Sequence, residues 1–280
     1  MNKIKIIVYD SLLKLSTFGK SVHIGLFFLY IWLLCDIYLR PIGDFANNVG
    51  IKASPYGFVF LFDRMDFVLL FFLGVVFAFG DVPYINNMTR YVALRMGITA
   101  WIRSQLFYLW VCSLGFMLAG VGISLIPLIG KVEAQSGWGK IYGTLAQTSV
   151  GYNFSILLKP DYQIMVNYDP WKASACILII GMLLICLTGK ILFLFSMWYK
   201  RIAGVTLALG FILFSAAAEA LSGFTANFFS PFSWIRLGRL SQFRGNGLPV
   251  LPDVITILII FHVIISGAIY LNSVKKDFYC

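Results

Sequence analysis

Six stretches of this chain, 21–39, 56–80, 106–130, 173–199, 202–221 and 254–271, are apolar over about the length needed to cross a hydrocarbon core of roughly 30 Å. Lipid offers a backbone no hydrogen-bond partner, so each stretch is expected to be a helix. The strict alternation of a membrane barrel strand is absent. Composition agrees: the chain is 60% hydrophobic and 12% charged, with mean hydropathy +0.85. A water-soluble domain of this size could not cover so much apolar surface. The fold class expected is therefore all-α: a polytopic membrane protein of about six transmembrane helices, forming one domain over residues 1–280. Its 26 Phe, 14 Tyr and 7 Trp suit lipid-facing helices with aromatic belts.

Lys and Arg placement sets the expected orientation. With both termini cytoplasmic, the inner segments hold twelve basic residues and the longer outer segments ten. Long loops count for less in this bias, so N-in and C-in is favoured. The outer connections are then 40–55, 131–172 and 222–253, the second long enough for short interfacial helices. Residues 81–105 form the one sizeable inner loop, and only Lys200 and Arg201 separate the fourth run from the fifth, which predicts a tight turn. Residues 1–20 read as an amphipathic helix lying on the inner membrane surface, with Ile4, Ile7, Val8, Leu12 and Leu15 on one side and lysines elsewhere. These first twenty residues are polar and basic, and no small-residue cleavage site follows the first run, so no cleavable leader is expected.

The net charge of +10 comes from short basic clusters beside apolar runs, not from one stripe. Contact with anionic lipid headgroups explains it better than nucleic acid does. The five cysteines, Cys35, Cys112, Cys176, Cys186 and Cys280, form no CxxC pair and read as small buried hydrophobes, with neither a disulfide framework nor a zinc site expected. Gly189-Lys190-Ile191 lacks the upstream glycine and the hydroxyl of a phosphate-cradling loop. No HExxH or GxSxG pattern occurs. Neither a catalytic residue, a metal site nor a cofactor is expected on this chain, and any nucleotide chemistry would belong to a separate subunit.

Several polar residues fall near or within apolar runs. Glu219, in Ser215-Ala216-Ala217-Ala218-Glu219-Ala220, either faces a bundle interior or water-lined cavity, where small neighbours admit another helix, or reaches the outer interface. Lys190 reads as a lysine snorkelling to the inner face, and Asp36 as a solvated helix-end residue. His262, like His23, reads as a packed helix residue with satisfied nitrogens. In the inner loop, Pro83 breaks the second helix, and 85–105 can form a short amphipathic helix or hairpin with a bend at Gly97. Arg90, Arg95 and Arg103 give it a polar face; Tyr91, Leu94, Met96 and Trp101 give it an apolar one. Such a segment suits docking to a soluble partner, and equally suits resting on headgroups with Trp101 as an anchor.

Several motifs, in order along the chain, carry a resemblance. They are Ser54-Pro55-Tyr56, Phe79-Gly80-Asp81-Val82-Pro83-Tyr84, Arg95-Met96-Gly97-Ile98-Thr99-Ala100-Trp101, Ser230-Pro231-Phe232-Ser233-Trp234-Ile235 and Lys275-Lys276-Asp277-Phe278. Together they resemble the bacterial ABC-2-type permeases, membrane subunits of ABC transporters whose ATPase is a separate polypeptide. The resemblance implies that residues 1–20 correspond to an interface helix. It also implies that the segment containing Arg90, Tyr91, Arg95, Gly97, Trp101 and Arg103 couples to the ATPase. A second permease subunit, ATP and Mg on the partner, and a bacterial plasma-membrane location follow by the same implication. The long loop 131–172 departs from better-known members.

The function expected is a permease subunit exporting a hydrophobic or amphipathic substrate such as a peptide antibiotic, lipid or glycan. A membrane-embedded lipid-modifying enzyme, which needs polar residues clustered at one depth, is a second possibility. A non-transporting bacteriocin immunity or accessory protein is a third.

Overall fold

The computed structural model describes residues 8, 10–12, 14–15, 21–83, 97–133, 135–222, 230–242 and 248–275, with the side chains of 219–222 and 273–275 set aside. Among the described residues every regular element is helical; the extended contacts are two isolated bridges, Ala53 with Val132 and Ser241 with Val250.

Helix α1, Val22–Val49, shows why lipid must surround the bundle. Ile24, Phe27, Ile31, Leu34, Cys35 and Tyr38 recur every three or four residues and are buried, while Leu26, Leu29, Leu33 and Ile37 are exposed yet apolar. A face of exposed leucines and isoleucines has no stable place in water. The helix runs on through Pro41, so most of the connection expected at 40–55 is helical. It stops at Gly50, whose left-handed φ of 71° lets its N–H reach the carbonyls of Ala46 and Asn47.

The second apolar run does not fold as one helix. It divides into α2, Gly57–Phe62, and α3, Met65–Ala78, with Asp63 and Arg64 between them. Loop partners satisfy the polar groups at the break. Arg236 Nε donates to the Asp63 carbonyl at 2.6 Å, and the Gly238 N–H donates to Asp63 Oδ1 at 2.9 Å. At 14 residues α3 is about 21 Å long, short of a full crossing.

Helix α4, Ile98–Leu125, starts eight residues before the third apolar run and continues as a 3₁₀ turn to Leu128. The long loop holds α5, Gly139–Gln147, α6, Val150–Asn153, and α7, Tyr162–Asn167. Then come α8, Pro170–Trp198, α9, Arg201–Ser222, and α10, Leu251–Lys275. Only Tyr199 and Lys200 separate α8 from α9, the tight turn expected.

Five helices among the described residues are long and apolar enough to cross a membrane: Val22–Val49, Ile98–Leu128, Pro170–Trp198, Arg201–Ala218 and Leu251–Asn272. The six expected crossings thus become five long helices and one broken one. Helix α8 is the axis: 78% of its apolar window is buried, against 22–39% for the other four. It packs against α4, α9 and α10, while α1 packs against α3 and α4. At Gly189 a Cβ would lie 2.8 Å from Leu109 Cδ2, so a glycine is what admits α4 there.

The connection expected as an outer loop at 222–253 is not all surface. Its 3₁₀ segment Pro231–Ile235 is entirely buried, with Phe232 wedged between Phe72 of α3 (4.6 Å between ring centroids) and Phe211 of α9 (5.6 Å).

Candidate functional site: two buried lysines

Inside the bundle, α4, α8 and α10 bring together Trp110, Lys190, His262 and Ser266. Lys190 is 2% exposed and His262 5%. Lys190 Nζ donates to Ser266 Oγ at 2.8 Å and stands 5.2 Å from the centroid of the Trp110 ring. Ser266 Oγ in turn donates to the His262 carbonyl at 2.6 Å. His262 Nε2 lies 3.0 Å from the Leu183 carbonyl. A carbonyl can only accept, so Nε2 carries the proton, and in the neutral ring Nδ1 is a bare lone pair. That Nδ1 is buried with no hydrogen-bond partner. The ring lies against Trp110, tilted 34° with 4.8 Å between centroids.

These contacts correct two expectations. Lys190 does not snorkel, because α10 covers it and its amine ends on a serine of that helix. His262 has one satisfied nitrogen, not two. Among the described residues Lys190 forms no ion pair with a carboxylate, and no cluster of three potential metal ligands exists. An amine with one hydrogen-bond acceptor and an aromatic face can hold or release a proton and attract an anion. Hydropathy alone could not find this site; the only signal was a lysine and a histidine inside runs that otherwise exclude them.

The second lysine sits at the amino-terminal end. Val8, Asp10–Leu12, Lys14 and Leu15 are helical, but their buried side is polar: Asp10, Ser11 and Lys14 are 6%, 4% and 7% exposed. Val8 and Leu12 point outward instead. Lys14 pairs with Asp10, lies 3.3 Å from Ser104 Oγ and stands 5.9 Å from the Trp101 ring centroid. Ser104 Oγ donates to Asp10 Oδ2 at 2.5 Å, and Ser11 Oγ donates to the Ser104 carbonyl at 3.2 Å. Burial lowers the Lys14 pKa more than the Asp10 carboxylate raises it. The lysine expected on the wet side of an amphipathic helix is therefore its inner clasp.

Nearby, Arg201 at the start of α9 donates to the Gly80 carbonyl at 2.6 Å and pairs with Asp81. His23 Nε2 lies 3.9 Å from the other Asp81 oxygen. The Gly80-Asp81 motif thus ties the end of α3 to α1 and α9.

Of the coupling residues expected from sequence, Arg90, Tyr91 and Arg95 lie outside the described residues. Gly97 has a left-handed φ of 80° and its carbonyl accepts the Trp101 N–H at 3.2 Å, in the first turn of α4. Trp101 is not an exposed docking anchor: it is 3% exposed, with its ring 6.1 Å from Phe193. Arg103 is exposed one turn into α4. Glu219 belongs to α9, its side chain outside those described. Asp36 is not simply solvated either, since it accepts from Arg40 Nε at 3.0 Å with 19% of its side chain exposed. Cys35, Cys112 and Cys186 are buried, Cys176 is half-buried, and Cys280 lies outside the described residues.

Apolar helices surrounding enclosed polar clusters define a multi-pass α-helical membrane protein. No family model, curated protein or solved structure matches the chain.

Proposed function

We propose that this chain is the permease subunit of a bacterial ABC transporter. It would span the plasma membrane with both termini inside, pair with a second permease subunit, identical or different, and draw on ATP and Mg held by separate ATPase subunits. Its cargo would be a hydrophobic or amphipathic molecule such as a peptide antibiotic, a lipid or a glycan. The reading rests on the motifs that resemble ABC-2-type permeases. The single observation that supports it best is the clasp of Asp10, Ser11 and Lys14 onto Ser104 and Trp101. By that resemblance, residues 1–20 are the interface helix on the inner membrane surface and 81–105 the part that meets the ATPase. A push on the 81–105 segment would pass into α4 through its first turn and into the amino-terminal helix through Ser104. Trp101 then acts as a rigid link in the bundle, not as a group seated in the partner.

The test is co-expression with a P-loop ATPase encoded beside it. Co-purification of the ATPase, with hydrolysis that responds to Trp101→Ala, is the expected result. An ATPase that neither co-purifies nor changes activity with this chain present would overturn the proposal.

The buried Lys190 and His262, with the half-buried Ser266, are the one-depth polar cluster that a lipid-modifying enzyme needs. The enclosure of Lys190 and His262 favours the permease, because no substrate could reach them without displacing α10.

A further inference from the structure

At the loop-rich end, opposite the Lys14 clasp, a cleft of about 350 Å³ opens between the α2–α3 break and the long loop. Its lining includes Arg64, Thr148, Tyr152, Ser155, Leu157 and Lys159. The volume lies near the lower end of small-molecule sites. From this cleft we infer a binding site for the headgroup of an anionic glycerophospholipid, separate from any transport path and independent of the permease reading.

The head end is cationic. Arg64 is held rigidly: Nε and Nη2 donate to the two Asp66 oxygens at 2.9 and 2.8 Å, and Nη1 to the Leu157 carbonyl. Three of its five N–H groups are thereby engaged, which leaves two donors on a guanidinium that cannot swing away. Tyr38 completes the mount, its ring 5.5 Å from the guanidinium and its hydroxyl donating to Asp66 Oδ2 at 2.7 Å. Asp66 offsets the Arg64 charge, so the net attraction comes from Lys159, which is exposed and makes no ion pair among the described residues. Among the described residues no carboxylate lines the cleft. Thr148 donates its hydroxyl hydrogen to the Thr144 carbonyl at 2.7 Å and so has none to offer an anion. At the rim Ser155 holds a left-handed φ of 53°, a conformation uncommon outside glycine, asparagine and aspartate.

The tail end is apolar and exposed. Tyr152, 77% exposed, and Leu157, 54%, line the cleft, and Tyr162, 50%, lies further along the same loop. Aromatic and aliphatic side chains bared at the end of a membrane bundle mark the headgroup layer. A molecule whose phosphate meets Arg64 and Lys159 would therefore run its acyl chains past Leu157 and Tyr152 into lipid. A free anion would use only the first half of this site, and a zwitterionic lipid would bring its own cation against Lys159.

The experiment uses purified full-length protein in detergent, with the thermal midpoint followed while dihexanoyl phosphatidylglycerol is added below its micellar concentration. Parallel titrations use dihexanoyl phosphatidylcholine and inorganic phosphate. Phosphatidylglycerol is expected to stabilise the protein saturably and the other two to do so only weakly. Lys159→Glu should raise the apparent Kd about tenfold or more, the scale of one charge-assisted hydrogen bond. Lys52→Glu, the same charge change at an exposed lysine outside the cleft, should leave it within about twofold. Equal binding by the wild type and Lys159→Glu would overturn the site, as would equal weakening by Lys52→Glu. Phosphate or phosphatidylcholine matching phosphatidylglycerol would overturn the anionic-lipid assignment.

Discussion

Lys14 and Lys190 are both buried lysines over a tryptophan ring with a serine oxygen within reach, yet only one has a carboxylate. Lys14, at the amino-terminal end, pairs with Asp10 and lies 5.9 Å from the Trp101 centroid. Lys190, inside the bundle, has Ser266 at 2.8 Å and Trp110 at 5.2 Å. The difference separates a clasp from a site. A buried ion pair fixes one helix on another and leaves little free to react. A buried amine without a counter-charge holds its place at a cost, and such groups inside membranes usually serve function.

The largest expected effect tests the clasp. Asp10→Leu strands the Lys14 ammonium in a buried place and should lower unfolding stability by about 3 kcal/mol, read from thermal or denaturant unfolding in detergent. Adding Lys14→Met to that variant should recover most of the loss, because replacing both members of a buried pair by apolar groups is close to neutral. A double variant as unstable as the single one would mean that Asp10 acts through Ser104 and not through Lys14.

A smaller effect is expected at Lys190. Ser266→Ala removes its hydrogen-bond acceptor and should cost about 1–3 kcal/mol. Lys190→Met should leave stability unchanged or raise it by about 1 kcal/mol, since no counter-ion is stranded. In the Lys190→Met background Ser266→Ala should cost less than about 1 kcal/mol. Additive losses would break the comparison, placing the serine's role in its bond to the His262 carbonyl.

The smallest effect is a pH slope. The folded-state pKa of Lys14 lies below its ordinary 10.5, so between the two values the folded chain binds fewer protons than the unfolded one. Stability should therefore rise with pH across that window and level off above the unfolded value. Lys14→Met should flatten the slope in alkaline unfolding curves, and an unchanged slope would assign it to another group.

Much of this architecture was legible as hydropathy. A run of some twenty apolar residues has few options in lipid, so the helical class and five of the crossings follow from composition and length. The tight turn between α8 and α9 was legible too, one residue off: expected at Lys200 and Arg201, it lies at Tyr199 and Lys200. The break at Asp63 and Arg64 was not. Its partners, Arg236 and Gly238, lie far along the chain, and without them two charged residues in an apolar run give no sign of ending a helix. Trp101 was misplaced for a related reason: an aromatic beside arginines looks interfacial until Phe193 and Lys14 close over it.

What the sequence determined by itself is that the chain spans a membrane as helices, because backbone hydrogen bonding and apolar burial act within one segment at a time. Which polar residues those helices enclose was decided only by tertiary structure. Lys190 could reach the interface along its own helix; it stays inside because α10 lays Ser266 across it and Gly189 lets α4 bring Trp110 close. The solvent of a side chain in a membrane bundle is set by neighbouring helices, and their identity is not written in its own run of sequence.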